Sequence, residues 1–184
     1  MIIPRPQIEP IPQTSVWSPP RYRLTADYII RLDDGLDLIH PAGFETDLAS
    51  TPRWMWAIPG FSPTGPLVFG AIPHDIGYQH QYLLSPYDPR RTYPETSMRL
   101  REQFPDRFGD LIPVFAGRNQ TFFDQLLAGI TIEATHQHFV AKVAEFALGM
   151  WGDRAWSAYR EKGPCAYNAN SLGLPGITFS GVRF

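Results

Sequence analysis

Apolar residues change their spacing several times along this chain, and each change marks a different kind of structure. The first twenty residues carry prolines at positions 4, 6, 10, 12, 19 and 20. Proline fixes φ and lacks an amide donor, so 1–20 reads as an extended, non-helical arm. From Arg21 the pattern alternates. Tyr28-Ile29-Ile30-Arg31-Leu32 and Leu36-Asp37-Leu38-Ile39-His40 flank Asp33-Asp34-Gly35, which predicts a β-hairpin with Asp-Gly supplying positive φ at the turn. Pro41-Ala42-Gly43 ends the second strand. Ser50 or Thr51 ahead of Pro52 predicts a helix start, anchored by Trp54 and Trp56. A second helix is expected over 66–83, with Leu67, Phe69, Gly70 and Ile72 preceding His74. Pro73 kinks that helix or marks its true first turn, and either places His74 and Asp75 near a helix N-terminus.

The stretch 85–117 is rich in Pro and Arg and weakly periodic, so it reads as a long insertion with one short helix at about 95–103. Helical spacing then returns in Phe122, Phe123, Leu126, Leu127, Ile130, and again in Phe139, Val140, Val143, Phe146, Ala147, Met150. Asn119 is placed to cap the first of these helices, a break falls near Thr135, and the second helix continues toward Trp156. Gly163 to Phe184 returns to Gly, Pro and Ser and reads as a second extended arm, able to add a strand to a neighbour. The expected class is α+β: an N-terminal β-hairpin or small antiparallel sheet, then a mainly α-helical core, with extended N- and C-terminal arms. The expected domain is 21–162, between arms 1–20 and 163–184.

Composition narrows the function. Hydrophobic residues make up 43% of the 184, enough for a packed core. Charged residues are only 18% and aromatics 14%, the balance of a surface that other proteins cover. A net charge of −2 creates no global field for nucleic acid or an anionic membrane. Arg90, Arg91, Arg99, Arg101, Arg107 and Arg118 are diluted by Asp88, Glu95, Glu102, Asp106 and Asp110, which reads as a solvated, mixed-charge face. The single cysteine, Cys165, excludes an internal disulfide framework and a thiolate zinc site within the chain. Met1-Ile2-Ile3-Pro4-Arg5-Pro6 lacks the basic start and apolar run of a cleaved signal, so synthesis and residence in a cytoplasm are expected before any export. No stretch approaches the roughly 20 apolar residues of a membrane span.

Titratable groups set among Trp, Phe and Ile require partners, because a buried charge without one is costly. Asp47 and Ser50 sit in a turn; His74 and Asp75 sit side by side in an apolar segment, with Tyr78 one helical turn further on the same face. Asp124 is embedded between Phe122-Phe123 and Leu126-Leu127. Two readings stand together. Asp47, His74 and Asp124 would suit a divalent metal such as zinc, or His74 would act as a base beside Ser50, oriented by Asp75 or Asp47, with Tyr78 donating to a developing oxyanion. Alternatively Asp47 and Ser50 are turn and helix caps, and His74 and Asp75 a buried hydrogen-bonded pair that holds the fold. His136-Gln137-His138 alternates within a helical segment, so its imidazoles cannot readily share a metal.

Gly43-Phe44-Glu45-Thr46-Asp47-Leu48-Ala49-Ser50-Thr51-Pro52, then His74-Asp75-Ile76-Gly77-Tyr78, then Asp124 in a Phe-rich helix, resembles the phage-associated family called domain of unknown function 1353. The resemblance covers about residues 22–156; the third element departs from the family's usual Ala-Asp, since Phe123 precedes Asp124. It implies a bacteriophage protein, made in the host cytoplasm; the proline-rich arm, the Gly/Pro-rich C-terminus, the low charge and the high aromatic content then point to a structural or assembly component of the virion, in the tail or baseplate. The partners expected of such a component are other virion proteins and further copies of the chain. The alternative is a hydrolase, metal-dependent or not, that degrades peptidoglycan of the host cell wall through Asp47, His74 and Asp75.

Overall fold

Alternation in the first quarter of the chain becomes strands, and the long apolar repeats become helices. A computed structural model describes residues 1–13, 20–48, 60–62 and 64–162. The expected helix start at Ser50 or Thr51, Trp54, Trp56 and the C-terminal arm 163–184 lie outside the described residues. The fold is α+β, as expected: two small antiparallel sheets, then a helical C-terminal part. Strands β1 (Ile8–Ile11), β2 (Arg21–Leu24) and β5 (Glu45–Thr46) form one sheet in the order β1-β2-β5. Strands β3 (Tyr28–Arg31), β4 (Asp37–His40), β6 (Leu83–Pro86) and β7 (Leu111–Val114) form the other, in that order.

The hairpin forms as predicted, with Tyr28 opposite His40 and Arg31 opposite Asp37. Its turn takes positive φ only at Gly35 (φ 78), with Leu32 and Leu36 closing it. Period-2 alternation then decides the faces: Tyr28 and Ile30 are buried while Ile29 remains exposed. The described part of the proline-rich arm, residues 1–13, lies along the chain's own fold. Residues 8–11 pair antiparallel with β2, Ile2 bridges Arg31, and Ile3 and Ile8 pack on the core.

The second helix is α1 (Val68–His80), shorter at both ends than the predicted span, with Pro73 in its interior. His74 and Asp75 therefore lie mid-helix and not near its N-terminus. Pro73 cannot donate to the carbonyl four residues back. That carbonyl, on Phe69, accepts instead from the Tyr28 hydroxyl at 3.0 Å. The helix carries on because the sheet supplies the missing donor.

The segment read as an insertion contains its predicted helix, α2 (Glu95–Gln103), and also a short α3 (Pro105–Phe108). Its two ends are strands: β6 and β7 pair from Leu83–Val114 to Pro86–Leu111 and complete the larger sheet. Weak periodicity hid them because β6 is buried along its first three residues, so nothing alternates. Leu83 joins the main core, while Leu84 joins Tyr82, Leu100 and Phe108 in a smaller cluster.

Helix α4 (Gln120–Thr135) is capped as predicted, with the Asn119 side chain accepting from the Phe122 amide at 3.1 Å. It ends at His136 in the left-handed region (φ 58), and α5 (His138–Lys162) follows. His136 is thus a helix terminator and not part of a continuous helix. The α1 and α4 backbones meet closely at Gly70, where a β-carbon would collide with the Leu127 backbone, and at Gly77, where it would collide with the Phe123 ring.

Candidate active site or fold-holding network

Three elements converge on one buried polar cluster. Strand β5 contributes Thr46. It is held against β2 by Glu45, whose carboxylate accepts from Arg21 at 2.7 Å and Arg23 at 2.8 Å. Phe44, Thr46 and Leu48 are all buried, so alternation through the Gly-Phe-Glu-Thr-Asp box turns Thr46 inward. The Thr46 hydroxyl donates to Asp75 Oδ2 and accepts from the Leu48 amide at 2.9 Å. Leu48 itself takes φ 53, a conformation that L-residues with side chains seldom adopt. Asp47 is half-buried beside this turn.

Helix α1 contributes His74, Asp75 and Tyr78. His74 Nδ1 lies 3.2 Å from Asp75 Oδ1, and its Nε2 lies 3.0 Å from Asp124 Oδ1 on α4. The Tyr78 hydroxyl donates to the same Asp124 oxygen at 2.6 Å, and its ring sits 4.0 Å from the imidazole, centroid to centroid. The shared helix face predicted for His74 and Tyr78 is present. Helix α5 covers the cluster: Trp156 packs edge-on to Tyr78, and a β-carbon at Gly152 would lie 2.7 Å from the Tyr78 oxygen and from the Gln120 amide nitrogen.

Burial by itself would lower the His74 pKa, but hydrogen bonds and charge from Asp124 and Asp75 outweigh it and raise the value to about 9. At neutral pH His74 is therefore an imidazolium donating from both nitrogens to two carboxylates. The Tyr78 phenol is pushed up, first by burial and then by Asp124. Only 3% of His74, 3% of Asp124 and 9% of Asp75 is exposed. A general base needs a free nitrogen aimed at its proton, and a ligand histidine needs a lone pair. In this arrangement both nitrogens are committed as donors.

Of the sequence candidates, the structure brings together His74, Asp75, Tyr78 and Asp124. Ser50 lies outside the described residues. Among the described residues, no group of three or more His, Cys, Asp and Glu side chains is disposed to hold a metal ion. Thr46 is the member that sequence reasoning passed over in favour of Asp47. Its signal was present in the apolar residues two before and two after it, which mark it as inward-facing.

No curated protein and no solved structure matches the chain. Asp124, α4 and α5 lie beyond the span that a family comparison reaches. Residues 22–103, which hold Thr46, His74, Asp75 and Tyr78, match the family described as "Protein of unknown function (DUF1353)", the family that the two sequence boxes resemble.

Proposed function

We propose that this chain is a bacteriophage virion-associated protein, a structural or assembly component of the tail or baseplate that works by protein contact. The observation that carries the reading is on α5. Phe139, Phe146 and Met150 are 73%, 67% and 57% exposed there, an apolar row on the longest described helix, with Trp151 beside it also exposed. Rows of this kind mark interaction sites more often than they stand alone. The buried cluster supports the same reading, since its hydrogen-bonding groups are engaged with one another and join β5, α1 and α4. Phage association itself rests on the family resemblance.

The test is composition of the particle. Purified virions of a phage encoding this chain should contain it in the tail or baseplate fraction by mass spectrometry and immunogold labelling. Its absence from particles overturns the reading.

One observation favours a second reading, a peptidoglycan hydrolase acting through Asp47, His74 and Asp75. A histidine held protonated to about pH 9 beside a carboxylate is equipped as a general acid, and Asp75 is the most exposed member of its network. Cell-wall digestion by the wild type, lost in a folded His74→Ala variant, would establish it. Equal, background-level release by both would remove it.

A further inference from the structure

The α5 row continues the proposed assembly role, and its chemistry is specific enough to name what covers it. At ~100° per residue, Phe139, Phe146 and Met150 fall within about 40° of one another. One flank of that row carries Lys142, Gly149 and Asp153, all exposed. The opposite face is spent on the core through Val140, Ala141 and Ala144, and Trp156, seven residues after Gly149, packs against Tyr78 at the inner edge of the charged flank. Among the described residues, nothing packs over the outer stripe.

We propose that the occupant is α5 of a second copy, packed antiparallel about a two-fold axis that passes between the two helices level with residues 147 and 148. This rests on the assembly reading and supplies its first partner. In an antiparallel pair the same flank of each helix meets its equivalent, and a two-fold axis makes every contact reciprocal. Lys142 and Asp153 are equidistant from that axis, so each Lys142 faces the partner's Asp153. Phe146 and Gly149 are equidistant from the same axis, so each Phe146 meets a position with no side chain. Gly149 has open space around its α-carbon, with no atom within 4 Å of a β-carbon built there. One register thus satisfies both the charges and the fit. A parallel two-fold pair would set Lys142 against the opposite flank of its partner and would make no Lys142–Asp153 contact. The Lys142 ammonium already lies 2.7 Å from Glu145 of its own helix, which holds it on the interface flank without consuming all three of its donors. Charges flanking an apolar seam choose orientation and partner, as they do in coiled coils.

The experiment is light scattering coupled to size exclusion on the full chain at about 100 µM, a concentration at which a micromolar dimer is nearly saturated. The wild type should be dimeric. Phe146→Glu, at an exposed position that leaves the fold intact by circular dichroism, should be monomeric. Lys142→Glu and Asp153→Lys should each raise the dissociation constant about tenfold, and the two together should restore it, because both reciprocal pairs are rebuilt with signs exchanged. A monomeric wild type overturns the proposal. A dimer indifferent to Phe146→Glu, or charge variants without mutual rescue, does so equally. If the monomeric protein is still found in virions, only the homodimer fails. If the dimer forms but the protein is absent from particles, only the assembly reading fails.

Discussion

His74 shows what two carboxylates do to one buried imidazole. Desolvation opposes its charge, yet Asp124 and Asp75 hold it protonated to about pH 9. Deleting the cation strands two carboxylates in a buried site. His74→Ala should therefore cost about 3–5 kcal/mol of unfolding free energy, against about 1–3 for Tyr78→Phe, which removes one donor from Asp124. Urea titration of both variants checks the order; a His74→Ala protein no less stable than Tyr78→Phe would refute the ionic reading. His40 behaves in the opposite way. Burial lowers its pKa to about 4, and its Nδ1 lies 2.6 Å from the Tyr28 carbonyl. The linkage signs are opposite too. Stability from His74 is complete below its ordinary value of 6.5 and is lost as pH rises through about 9. Stability from His40 is complete above 6.5 and is lost as pH falls through about 4. Unfolding free energy should therefore peak near pH 6.5, and His74→Ala should flatten the alkaline limb between 6.5 and 9. An unchanged limb in that variant would contradict the coupling.

Between elements, the α1–α4 approach governs whether the cluster exists. His74 and Asp124 are 50 residues apart in sequence and meet at 3.0 Å because Gly70 and Gly77 let the two helices close together. Alanine is the better helix former by about 1 kcal/mol, so Gly70→Ala on an open helix would be stabilising. Here its methyl group meets the Leu127 backbone, which cannot rotate away, and overpacking of this kind costs about 1–3 kcal/mol or more. The expected net result is a lower melting temperature and a weakened His74–Asp124 contact, visible as a downward shift of the imidazole pKa by NMR. Much of this level was legible in the sequence. The hairpin, α2, the Asn119 cap, the break after Thr135 and the His74–Tyr78 face follow from local spacing and turn chemistry. The strands β6 and β7 did not, because a strand buried on both faces has no period to read.

Across the whole molecule the first eleven residues belong to the fold. The prolines made an extended arm legible; only pairing with β2 and the Ile2–Arg31 bridge showed that the arm lies on its own sheet. Removing residues 1–11 should forfeit the β1 ladder and the packing of Ile3 and Ile8, about 2–3 kcal/mol, or roughly 5–10 °C of melting temperature for a chain of this size. Calorimetry of the truncated protein measures this. An unchanged melting temperature would mean that the arm contributes nothing to the monomer. By itself, the sequence determined what lies within a turn or two of each residue: which positions share a helix face, where chains turn, which segments cannot be helical. These follow from backbone geometry and side-chain period, and they carried the reading from the two boxes to His74, Asp75 and Tyr78. Only the tertiary structure decided that Thr46 reaches Asp75, that Asp124 closes on His74, and that one face of α5 remains apolar and exposed. Those outcomes depend on how closely separate elements pack. The packing distance is set by glycines and buried rings far apart in the chain, which no local pattern encodes.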